Sequence, residues 1–98
     1  MVARVTTSQR SPADEAQQFI EDYAIPSLRE LDGFRGAYFL ADREREVGIS
    51  ITFWVDEAAA RASDTASIER RSLAARMTGA VFESVDTYEV IAQAAPPT

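Results

Sequence analysis

The fold is decided by Gly33-Phe-Arg-Gly-Ala-Tyr-Phe-Leu-Ala-Asp42, then Val47-Gly-Ile-Ser-Ile-Thr-Phe-Trp-Val-Asp56, then Glu57-Ala-Ala-Ala60. Two apolar runs of strand length are joined by a charged turn and lead straight into a helix start, which reads as a hairpin followed by a capped helix. In the second run Val47, Ile49, Ile51, Phe53 and Val55 alternate with Gly48, Ser50, Thr52 and Trp54. One face is large and apolar; the other is small until the indole. The first run is apolar on both faces, with Phe34, Tyr38 and Leu40 on one and Ala37, Phe39 and Ala41 on the other. An antiparallel sheet with helices on one side is commonly wet on the other. This one asks for cover on both sides, so a second copy of the chain is expected against the face that the helices leave open.

Working outward, the order of elements reads β-α-β-β-α-β. Residues 2–8 are short, β-branched and alternating, a first strand. Ser11 is placed to cap a helix with Pro12 at its first position and Asp14 and Glu15 at the positive end of its dipole. Ala16, Phe19, Ile20, Tyr23, Ser27, Leu28 and Leu31 recur at helical spacing, while Ile25 falls off that stripe and is expected at an interface. Pro26 lacks the amide that would bond the Asp22 carbonyl, so a kink or break is expected there, and Gly33 ends the segment. After Asp56 the apolar series Ala59, Ala62, Ala66, Leu73 and Met77 keeps helical phase, but Ser63-Asp64-Thr65 interrupts it with cap-forming residues. A short helix, a second cap and a longer helix ending near Gly79 are expected, followed by a last strand over 81–91. Residues 1–93 read as one domain, with 94–98, which include Pro96 and Pro97, as a disordered tail.

At 98 residues the chain buries roughly 60–65% of its unfolded surface, enough for a small core that oligomerisation would support. A formal charge of −6 argues against nucleic-acid partners, which need a basic surface. No apolar run approaches the roughly 18 residues of a membrane span. The first residues show no secretory pattern, so a cytoplasmic location is expected. Absences narrow the chemistry further. There is no Cys and no His, and all ten cations are Arg; Asn is missing as well. Thiolate chemistry, sulfur- or imidazole-ligated metals, a Ser-His-Asp arrangement and Schiff bases are thereby removed. Carboxylates, Tyr, Ser/Thr, Arg and one Trp remain.

From Leu31 to Ala60, with Leu-Asp-Gly-Phe-Arg-Gly before one strand and Ile-Thr-Phe-Trp-Val-Asp-Glu before the second helix, the chain resembles the antibiotic-biosynthesis-monooxygenase-like family. The terminal Tyr88-Glu89-Val90 adds to the resemblance. It implies an α+β, ferredoxin-like fold: a four-stranded antiparallel sheet with helices on one face, two copies closing into a dimeric α/β barrel. It further implies a pocket between sheet and helices, lined by the tryptophan that matches Trp54. Family members include cofactor-independent oxygenases of aromatic substrates and haem-degrading enzymes. The asparagine that accompanies the tryptophan and the histidine that ligates haem have no counterpart here, so haem degradation is not expected. Oxygenation would have to stabilise a substrate anion with Arg or Tyr donors, without metal or organic cofactor. The alternative is a non-catalytic ligand-binding or accessory homodimer.

The residues expected at such a pocket each have a plainer competing role. Trp54 is the leading pocket residue, against core packing; Ser50 and Thr52 share its face and leave room for a small hydrophobic or aromatic ligand, against close helix docking. Tyr23 and Tyr38 are candidate hydroxyl donors, against ordinary burial with one hydrogen bond. Arg76 lies nearest the apolar stripe of the second helix and is the expected anion-holding residue, whereas Arg70 and Arg71 read as a solvated face. No individual residue is identified as catalytic.

Overall fold

The computed structural model describes residues 1–97; Thr98, the last residue of the expected tail, lies outside the described residues. The strands are β1 (Val2–Gln9), β2 (Phe34–Asp42), β3 (Val47–Trp54) and β4 (Val81–Glu89). They form one antiparallel sheet in the order β2-β3-β1-β4, the ferredoxin-like arrangement that the β-α-β-β-α-β reading implies. The register places Arg4, Thr52 and Ala37 in one row across the sheet, Thr6, Ser50 and Phe39 in the next, and Ser8, Gly48 and Ala41 in a third. These rows face the helices. Between them lie rows such as Val5, Ile51 and Tyr38, which point the other way.

Phe34 departs from the expected alternation. A bulge at Arg35 pairs Phe34 with Trp54 and Gly36 with Phe53, so Phe34 moves to the helix side and meets the Trp54 ring edge-on at 5.6 Å. One extra residue in a strand exchanges its faces from that point on, which simple alternation cannot register.

The first helical stretch begins at Ala13, later than the Ser11 cap predicts: Pro12 is its N-cap, with no side-chain cap bond. Ser11 instead donates its amide to the Glu46 carbonyl at 2.9 Å and is buried against the hairpin end. Helix α1 (Ala13–Phe19) continues through a π-helical segment (Ile20–Ala24) into α2 (Ile25–Arg29). Pro26 sits in the first turn of α2, so of the kink or break expected there the break is absent and the chain stays helical. The wider turn before it takes up the missing donor, a usual way for a helix to accommodate such a defect. It also adds a residue to the stripe. Ala24 takes the buried position, Tyr23 is left more than half exposed while stacking on Phe19 at 5.7 Å, and Ile25 turns inward to half burial.

The second helical stretch follows the sequence closely. The Asp56 carboxylate accepts the Ala59 amide at 2.8 Å and caps α3 (Glu57–Ala62). Ser63 separates it from α4 (Asp64–Thr78) without the second side-chain cap expected there, since its hydroxyl donates back to the Ala60 carbonyl at 2.7 Å; α4 ends on Gly79 with φ +80°. Gly33 lets α3 dock: it has φ +79°, and an added Cβ would lie 2.5 Å from the Ala59 Cβ. The core falls into two clusters on the helix side, Phe19, Ala24 and Ala74 in one and Leu28, Trp54 and Ala60 in the other. No helix among the described residues is long and apolar enough to cross a membrane.

Candidate functional site

Between the helices and the sheet lies a cavity of about 530 Å³, within the range that holds one small organic ligand. Its floor is the small-residue face of the hairpin and β1: Ala37, Gly48, Ser50, Thr52, Thr6 and Ser8. The floor is low because no side chain there is large. At Gly48 an added Cβ would sit 2.9 Å from the Ser8 Oγ and 3.2 Å from the Ser11 Oγ, so a larger residue there would have to turn these hydroxyls aside. Phe19, Ile20, Leu28, Phe39 and Phe82 give the cavity apolar walls, and α4 contributes Ser67, Arg70, Arg71 and Ala74.

Arg4 organises the polar end. Alternation along β1 puts it on the helix side, where it is only 5% exposed. One terminal nitrogen donates to Ser63 Oγ at 2.9 Å and Ser67 Oγ at 2.8 Å; the other donates to the Ala60 carbonyl at 2.6 Å and the Asp64 carboxylate at 2.5 Å. The guanidinium lies 5.6 Å from the centroid of the Trp54 ring, a cation–π distance. A buried cation on a strand is tolerable because the end of α3 and the start of α4 present four oxygens to it. Burial still pulls its pKa below the usual arginine value, and Asp64 opposes that shift.

Arg70 extends the cluster, donating to the same Ser67 hydroxyl at 3.2 Å and to Ser27 Oγ at 3.4 Å. Its pKa is lowered by burial first, then by the charges of Arg4 and Arg71. Arg71 is lowered by burial and then by Arg4, with Asp64 opposing. Within the described residues neither Arg70 nor Arg71 has a carboxylate in salt-bridge range.

The structure brings some of the expected site residues together and separates others. Ser50, Thr52 and Tyr38 border the cavity, although the Tyr38 ring lies on the outer face, 66% exposed and edge-on to Phe53. Trp54 is fully buried one layer behind the wall and donates its indole N–H to Thr52 Oγ1 at 3.0 Å. Tyr23 and Arg76 do not line the cavity. Arg70 and Arg71, read from sequence as a solvated face, line it instead, because α4 turns its Ser67–Ala74 face inward and leaves Ile68 and Met77 exposed. Arg4 was missed altogether. Its signal was available: Arg4, Thr6 and Ser8 are successive same-face polar residues, matching the small face of β3.

The fold recurs in solved structures. SnoaB, a cofactor-independent oxygenase from Streptomyces nogalater, superimposes with a TM-score of 0.74 at 16% identity, covering 98% of this chain and 97% of that one. The chain has the fold of the antibiotic-biosynthesis monooxygenases. A putative antibiotic biosynthesis monooxygenase from Deinococcus radiodurans matches with a TM-score of 0.69 at 16% identity over 100% and 99% of the two chains. The ActVA-Orf6 monooxygenase of Streptomyces coelicolor, in complex with Nanaomycin D, matches at 0.70 with 20% identity over 98% and 91%. No protein-family model and no curated protein sequence matches the chain.

Proposed function

We propose that this chain is a small homodimeric monooxygenase, acting in the cytoplasm on an aromatic metabolite without metal or organic cofactor. The observation that carries the reading is a mostly apolar cavity with an arginine wall, in the fold of monooxygenases that include a cofactor-independent oxygenase. A phenol bound with its hydroxyl toward Arg70 and Arg71 ionises more readily, because the positive wall stabilises the phenolate. The proton leaves to solvent. Molecular oxygen then adds to a ring carbon of the anion, forming a C–O bond and a peroxide. The peroxide takes up a proton and expels water while the carbon loses its hydrogen. Phenol and oxygen thus become quinone and water; the ring is oxidised, and oxygen is the sole oxidant.

Chelator-treated protein is expected to consume one oxygen per molecule of a two- or three-ring phenol converted, followed by oxygen electrode and product absorbance. Fluorescence of the single Trp reports occupancy separately, because Trp54 contacts the cavity wall through Thr52. Occupancy without oxygen uptake would favour the second reading, a non-catalytic binder. One observation points that way: the cavity's acid-base groups are the exposed Glu21 and Tyr38, whose ring faces outward.

The homodimer rests on the other side of the sheet. Tyr38, Leu40, Ile49, Ile51, Phe53 and Tyr88 form an apolar surface there, with Tyr38, Leu40 and Tyr88 at least half exposed. A second copy packed sheet to sheet would cover it, at the spacing of about 10 Å usual for facing sheets. Sedimentation at micromolar concentration is expected to give the mass of two chains. Ile51→Arg, in the middle of the patch, is expected to give a monomer; a monomeric parent protein would sink the barrel.

A further inference from the structure

The charge balance of the cavity is not explained by a phenol alone. Arg4, Arg70, Arg71 and Arg43 line the cavity, against one carboxylate, Glu21, which is exposed and accepts a hydrogen bond from Gln17 at 3.0 Å. Arg4 is neutralised by Asp64, and Arg43 by Asp14 at 3.0 Å. Arg70 and Arg71 have no carboxylate within salt-bridge distance among the described residues, Asp64 acting on Arg71 only from farther off; they are half-buried, adjacent in sequence and close to a third guanidinium. Arg4 and Arg70 are held so near that one hydroxyl, Ser67 Oγ, accepts from both.

Like charges kept together at a cavity wall are unfavourable unless something anionic joins them. The phenolate of the proposed reaction supplies one negative charge, and only after ionisation. We infer that the cavity binds an aromatic carboxylate, with Arg70 and Arg71 holding a permanent carboxylate group beside the ionising hydroxyl and the apolar walls taking the ring. Guanidinium groups suit a carboxylate because their planar N–H pairs match its two oxygens. Phe19, Phe39 and Phe82 supply the surface for a planar body. The inference rests on reading the cavity as a ligand pocket; it needs no turnover, so it can fail or hold whatever the oxygen measurements show.

The test compares 2-naphthoate with 2-naphthamide, which has nearly the same shape and no charge, by equilibrium dialysis under nitrogen. The full chain is expected to bind the acid at least tenfold more tightly than the amide, and that ratio is expected to fall as salt rises. In Arg70→Gln/Arg71→Gln the ratio is expected to drop close to one while amide affinity changes less than about twofold. Arg76→Gln, on the same helix but outside the cavity, is expected to leave both affinities unchanged. With no ligand present, the double variant is expected to melt no lower than the parent, since it loses repulsion between like charges; a purely structural role would lower the melting point. Equal binding of acid and amide by the parent, failure of both to bind, or a preference that survives the double substitution would overturn the assignment. Should the double variant fail to fold, the salt dependence of the parent and the single variants carry the same comparison.

Discussion

Trp54→Ala is expected to destabilise the protein by about 3–5 kcal/mol, the usual range for removing a fully buried large aromatic. Trp54 has no exposed surface, packs with Leu28 and Ala60, and receives the edge of Phe34. Domains of this size are typically stable by about 5–15 kcal/mol, so the loss would consume much of the total. Urea unfolding followed by circular dichroism is the suitable measurement, because the substitution also removes the only tryptophan fluorophore. Trp54→Phe separates volume from polarity. It keeps most of the ring burial and removes the N–H bond to Thr52, so a smaller loss of about 1–2 kcal/mol is expected. If alanine costs less than about 1 kcal/mol, Trp54 is not the keystone of its cluster.

That assignment shows what the sequence could and could not reveal. The hairpin was legible because both strands have strand length and β3 alternates strictly, so its parity alone put Trp54 with Gly48, Ser50 and Thr52 on one face; that this face meets the helices is not contained in the alternation and comes from the packing. The caps at Asp56 and Gly79 were legible for the same local reason: their chemistry is contained within one turn of chain. The inner face of α4 was not. Periodicity assumes that apolar residues turn inward, but this helix roofs a partly polar cavity, so Ser67, Arg70 and Arg71 turn toward it while Ile68 and Met77 stay exposed. The indole was expected in the pocket lining, where only its hydrogen-bond partner Thr52 stands. Tyr23 left the buried stripe through a π turn that no residue pattern announces, though Pro26 marked the neighbourhood. Defects that shift register by one residue, there and at Arg35, lie beyond a method that counts by twos and by 3.6.

Arg4→Met is the second large effect expected, a loss of about 2–4 kcal/mol. Methionine keeps an unbranched apolar side chain at this position and removes the guanidinium that lies over the Trp54 ring and joins β1 to the end of α3 and the start of α4. Three acceptors in the buried network lose a donor: Ser63 Oγ, Ser67 Oγ and the Ala60 carbonyl. They are compensated to different degrees. Ser63 keeps its own bond to Ala60 at 2.7 Å, and Ser67 keeps Arg70 at 3.2 Å, which holds the estimate below the sum of four charged hydrogen bonds. A second offset acts in the same direction and lowers the loss further: removing the Arg4 charge relieves the repulsion felt by Arg70 and Arg71. The Asp64 pair decides little, because that carboxylate is 57% exposed and exposed pairs contribute about 0–1 kcal/mol. Asp64→Asn is therefore expected to cost less than about 1 kcal/mol while Arg4→Met costs several times more, and denaturation midpoints of the two variants give the comparison directly. Equal losses would mean that the ion pair, rather than the buried hydroxyl and carbonyl acceptors, is what holds the arginine in place.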